Sequence, residues 1–307
     1  MSYASNPNQL ASAEVASEAL HVGTVAKPRV WTVFATVLLA LMMAIVAQVI
    51  VVCGLLFIAA GKGQNLGQAS NNLAEDIMAP PAFIALLVLS QLLMGLTTIA
   101  AAMRSATPLL ERLSLRAPKC PWWTLALFPM ASAIPLAVGV GAAYGMTYFF
   151  TPDNSIEALY KNMTTAWAIP FIILIGIMPG MMEELLFRGY VLTRLIERWG
   201  PLVGISVTTI LFALFHVTPH AMVLAFILGI WLGILAWRTG SIWSGVICHA
   251  FINSTWNVWQ VGQRLWGLPE NLAIPTWVVS GALATAVFTF ACWVLMNNRY
   301  HVVHESN

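Results

Sequence analysis

From Trp31 to Ala60 the chain runs for thirty residues without one Asp, Glu, Lys, Arg or His. A helix rises about 1.5 Å per residue and a bilayer's hydrocarbon core is about 30 Å thick, so roughly twenty such residues suffice to cross it. Further apolar stretches follow at 80–103, 122–150, 168–192, 201–218, 220–237, 241–259 and 273–296. Charged residues make up 8% of the chain and hydrophobic ones 59%. An average soluble domain is roughly 25% charged, and a third of that cannot cover a water-facing surface. In lipid only helices and closed barrels satisfy every backbone group, and strand-like alternation is scarce here. The expected fold class is therefore all-α: a polytopic transmembrane helical bundle of about eight helices.

Residues 1–29 lack an apolar run and read as a disordered cytoplasmic tail. Residues 30–165 hold the N-terminal transmembrane helices, 166–260 the polar-bearing core helices, and 261–307 the last helix with a short tail. The first apolar run is too long for a signal-peptide core and follows Lys27 and Arg29, which marks it as an uncleaved span. The positive-inside rule tests the count. With the N-terminus inside, the cytoplasmic flanks hold ten basic residues: Lys27, Arg29, Arg104, Arg112, Arg116, Lys119, Arg194, Arg198, Arg238 and Arg299. The opposite side holds three, Lys62, Lys161 and Arg264. A multi-pass cell-membrane protein with both termini cytoplasmic is expected, and the short loops look bacterial, as in an inner membrane. A net charge of +2 gives no argument for nucleic acid, and none is expected as a partner. Cys53, Cys120, Cys248 and Cys292 are scattered without a CxxC pair, so free thiols are expected.

Ionisable residues inside the spans are few, and they cluster. The run from Ile177 reads IMPGMMEELLFRGYVLTRL and sets Glu183, Glu184 and Arg188 mid-span. Insertion scales charge roughly 2.5–3.5 kcal/mol for each such residue, so a protein-lined cavity must hold them. Glu184 and Arg188 are four apart and can pair on one face, the bland reading being a self-neutralising structural ion pair. Glu183 lies about 100° around the wheel and has no partner on its own helix, which suits it to act as a base. The Pro179-Gly180 step is expected to break the helix just upstream. Two more spans carry polar groups: His216 four residues after Phe212, and His249 four residues before Asn253. Taken singly, each is more often interhelical packing glue than chemistry. His216-Val-Thr-Pro-His220 lacks the Glu of an HExxH zinc motif.

Three ordered motifs, Glu183-Glu184-Leu-Leu-Phe-Arg188, Phe212-Ala-Leu-Phe-His216 and His249-Ala-Phe-Ile-Asn253, resemble the EExxxR, FxxxH and HxxxN pattern of the CPBP family. These are the CAAX-protease and bacteriocin-processing membrane proteins also called Abi. The resemblance covers roughly 165–260 and makes 166–260 a catalytic core. It implies an intramembrane endopeptidase acting on a membrane-associated protein or peptide. It also implies roles: Glu183 and His216 activate water, His249 and Asn253 stabilise the oxyanion, and Glu184 and Arg188 support them. A metal-free mechanism is favoured; if zinc takes part, Glu183, His216 and His249 are the expected ligands. The alternative is a non-catalytic membrane protein of bacteriocin-immunity or scaffold type. A proton-coupled transporter with Glu183 as carrier lacks the repeated half such folds carry.

Overall fold

The computed structural model describes residues 29–152, 155–268 and 274–297. The tail assigned to 1–29 lies outside these apart from Arg29, as do Arg299 and the tail histidines His21, His301 and His304. Among the described residues 83% are helical and none forms a strand. The fold is an all-α polytopic helical bundle.

Helices α1 (Trp31–Gly61), α2 (Leu66–Ile77) and α3 (Pro80–Ala102) open the chain. A single turn at Leu109–Arg112 precedes α4 (Thr124–Ala131) and α5 (Ala133–Gly145). The short α6 (Ser155–Lys161) leads into α7 (Thr165–Glu184). α7 passes without interruption into a π-helical segment, Leu185–Leu192, and then into α8 (Thr193–Leu214). α9 (Pro219–Thr239), α10 (Trp243–Leu265) and α11 (Ile274–Asn297) complete the bundle.

Among the described residues six helical stretches are long and apolar enough to span a bilayer. The α7–α8 run of 50 residues counts as one of them. It divides at Gly200, whose φ of 82° and ψ of 170° no helix contains, with Pro201 starting the next segment. That division falls where the sequence puts a turn. α10 is the remaining expected span; its polar load of His249, Asn253, Ser254, Asn257 and Arg264 keeps it out of the apolar six. α1 is the most apolar, with a mean hydropathy of 2.8. It leaves Leu38, Ile50 and Phe57 exposed along its length, as expected of a lipid-facing helix.

The expected helix break at Pro179-Gly180 is not there: α7 continues to Glu184. Pro179 lacks an N–H, so the carbonyl of Ile175 loses its helical donor. The side chain of Asn253 supplies a replacement, its Nδ2 donating to Ile175 O at 3.3 Å. The helix is kept whole by its neighbour. The irregularity lies instead at Leu185–Leu192, which is buried over its full length. Its wider π turns re-aim the side chains that follow Glu184.

Two glycines let α10 lie against α7. A Cβ on Gly176 would run into Ser254 Oγ, and one on Gly180 would stand 3.0 Å from the backbone N of Ala250. This is the small-xxx-small contact by which membrane helices approach without a hydrophobic driving force. The contact sets His249 and Asn253 on α10 beside the end of α7. All four cysteines are free and only Cys248 is buried, with Cys53 exposed.

Because backbone lies 3.0 Å from that Cβ position, Gly180→Val is expected to destabilise the purified protein by about 1–3 kcal/mol, read as a lower unfolding temperature in detergent. Gly141→Ala, where nothing lies within 4 Å of the new methyl, should leave that temperature unchanged.

Candidate active site

Three helices and the π segment converge on the acidic pair. Glu184, the last residue of α7, is fully buried. Its Oε1 accepts from Arg188 Nη1 at 2.8 Å and stands 3.1 Å from His249 Nδ1. The structure thus forms the Glu184–Arg188 pair that the spacing implies, and adds His249 to it. Gly245 on α10 leaves the room: a Cβ there would collide with Glu184 Oε2. Arg188 is 1% exposed and has further uses for its charge. Its Nη2 donates to the carbonyl of Gly229 at 3.3 Å, and its guanidinium lies 4.2 Å from the centroid of the Phe212 ring.

Glu183 is also buried. Its Oε1 accepts from Gln91 Nε2 at 3.3 Å, a contact from α3. Its Oε2 has no hydrogen-bond partner and stands 3.9 Å from His249 Nε2. The imidazole of His249 therefore lies between two carboxylates: Nδ1 bonds to Glu184, and Nε2 faces Glu183. A donor bond from Nδ1 to Glu184 fixes the ring's orientation and leaves Nε2 to the side of Glu183. The charges sit where water cannot screen them, so each partner matters more than it would on a surface.

His216 is placed differently. It lies just past the C-terminal end of α8, in a turn closed by Val217 at φ 63°. Its Nδ1 is 2.9 Å from the carbonyl of Phe212, which leaves Nε2 free of that bond. It joins the cluster through an aromatic ring rather than by direct contact. The Phe212 ring lies 4.9 Å from the His216 ring and 6.0 Å from the His249 ring, centroid to centroid. With Arg188 on the same ring, Phe212 touches all three motifs. Asn253 sits one turn along α10 from His249, with Nδ2 on Ile175 O. Behind it Asn257 donates to the carbonyl of Asn253 at 2.8 Å and accepts from Tyr160 Oη at 2.7 Å. Burial pushes the Tyr160 hydroxyl above the ordinary tyrosine range, so it stays protonated as the donor.

Of the six residues singled out in the sequence, Glu183, Glu184, Arg188 and His249 stand in one connected cluster. His216 and Asn253 flank it. Among the described residues no three His, Cys, Asp or Glu side chains gather closely enough to hold a metal ion. Sequence reasoning missed Gln91, Phe212 as a shared neighbour, and Gly245. A glutamine in the middle of the apolar run 80–103 was a signal for the first; nothing in the sequence marks Gly245.

Residues 165–255 match the family model described as type II CAAX prenyl endopeptidase Rce1-like. The match begins with α7, ends within α10, and takes in all three motifs. No curated protein and no solved structure matches the chain. Over this segment, within a multi-pass helical bundle, the chain is similar to CAAX-type intramembrane proteases. The match is consistent with the CPBP family.

The ion pair at the centre can be tested without an assay of activity. Removing one partner of a buried pair leaves a bare charge and costs about 3–5 kcal/mol. Arg188→Met should lower the unfolding temperature in detergent accordingly, and Glu184→Gln added to it should recover a large part of the loss.

Proposed function

We propose that the protein is an intramembrane endopeptidase that hydrolyses a peptide bond of a membrane-associated protein or peptide, with Glu183 as general base. One observation carries the reading: Glu183 keeps a buried carboxylate oxygen without a hydrogen-bond partner, turned toward His249 Nε2. A scaffold or immunity protein could use the Glu184–Arg188 pair for packing, but it has no use for a second buried carboxylate, Glu183, on the other side of the same imidazole.

In this reading a water donates one proton to Glu183 Oε2 while its oxygen attacks the scissile carbonyl carbon. The free Nε2 of His216 accepts the water's second hydrogen bond. The carbonyl π pair moves onto oxygen, where His249 Nε2–H and the second N–H of the Asn253 amide stabilise the new charge. Collapse of the tetrahedral intermediate breaks the C–N bond, and the departing amine takes the proton from Glu183. With both ring nitrogens of His249 protonated, Glu183, Glu184, Arg188 and His249 carry no net charge. Glu184 then orients the ring from the far side, in addition to pairing Arg188. Water activation without a metal is the favoured form, as the sequence lacks an HExxH motif; the zinc form would take Glu183, His216 and His249 as ligands. The protein would sit in the membrane with both termini on the cytoplasmic side.

The test uses purified protein in proteoliposomes with two quenched fluorescent probes, a farnesylated CAAX peptide and an unprenylated transmembrane peptide. Cleavage of either by the wild type is expected. Glu183→Ala should lower kcat by roughly 10²- to 10⁴-fold, and His249→Ala by about 10²- to 10³-fold. A chelator should leave cleavage intact. Full activity of Glu183→Ala sinks the assignment of the base, and loss with chelator restored by zinc sinks the metal-free form.

A further inference from the structure

The apolar helix α3 carries one polar side chain that points into the site from outside the matched segment. Gln91 is 8% exposed, and its Nε2 donates to Glu183 Oε1. Its own Oε1 is buried without a hydrogen-bond partner. One turn further along α3, Gly95 leaves the space that Met182 Sδ of α7 occupies, so the two helices are packed closely at this level. Gly95 and Met182 thereby bring Gln91 level with Glu183. A primary amide in a lipid-spanning helix is costly to bury, and here its donor is spent on the carboxylate of the candidate base.

The consequence is geometric. A carboxylate rotates freely unless one oxygen is held. With Oε1 bonded to Gln91, Oε2 is the oxygen left for a proton, and it is the one that faces His249 Nε2 at 3.9 Å.

We propose that Gln91 is a positioning residue for Glu183, holding one carboxylate oxygen so that the other faces the attacking water. The inference rests on the reading of Glu183 as the base. It assigns part of the reacting geometry to a helix outside residues 165–255.

Gln91→Met keeps the side-chain length, suits an apolar helix and removes the donor. In the proteoliposome assay with the same two peptides, kcat per folded molecule should fall roughly 10- to 100-fold, as for a small misplacement of a reacting group. KM should stay within about twofold, since the lost interaction acts in the transition state and not on bound substrate. A residue that merely packs α3 against α7 would lower the folded fraction, measured by gel filtration in detergent, without this split. Should Gln91→Met fail to fold, Gln91→Leu reads the same split. Wild-type kcat in the Gln91 variant, or a change confined to KM, overturns the proposal while the base assignment stands. If Glu183→Ala itself cleaves like the wild type, the underlying reading falls and the proposal with it.

Discussion

The Glu184 carboxylate is the point on which the candidate site is built. It is fully buried, and one of its oxygens is shared between Arg188 and His249. A lone carboxylate in that position would be prohibitively costly, so the three groups are obliged to stay together. Two consequences follow. Arg188 has to be carried inward, which the π segment does while burying every one of its residues. His249 has to come within reach, which requires α10 to lie against α7 with glycine at 176, 180 and 245. The electrostatic demand and the close helix approach are one constraint seen from two sides.

Much of this was legible in the sequence. The apolar runs gave the helical class, and the i, i+4 spacing of Glu184 and Arg188 gave a pair that the structure forms at 2.8 Å. The Pro179 break was misread: α7 runs through Pro179, as it does through Pro170, and the carbonyl that Pro179 orphans is met from outside the helix. That compensation comes from Asn253, seventy-eight residues away in the chain, and no local rule reports it. Gln91 was hidden for a similar reason: its partner lies ninety-two residues further on. A single polar residue in an apolar run says that a partner exists without saying which.

Phe212 explains why an aromatic residue belongs four places before His216. Its ring is packed edge-on against Phe187 at 5.1 Å and is in contact with both histidines and the Arg188 guanidinium. An aromatic face accepts a cation, and its edge suits a neighbouring ring. The same side chain can therefore hold a charged group and two imidazoles apart without adding a hydrogen-bonding group of its own. An apolar spacer with directional contacts adds no further polar atom to a site that already buries several without partners.

Asn253 shows how a motif residue on one helix can complete the hydrogen bonding of another. Its amide carries two N–H donors. One closes the carbonyl that Pro179 leaves open, on a helix that continues to Glu183 and Glu184. The other is not used in that bond, and its direction is set by whatever holds the first. The backbone of Asn253 is fixed in turn from behind by Asn257, whose own carbonyl is held by Tyr160. Proline and asparagine thus act as a pair across two helices: the first creates a vacancy on α7, and the second fills it while being locked in place. Placed one helical turn from His249, a side chain so fixed gains directional precision from the defect it repairs. That is the physical reason to expect an asparagine there rather than a residue that only packs.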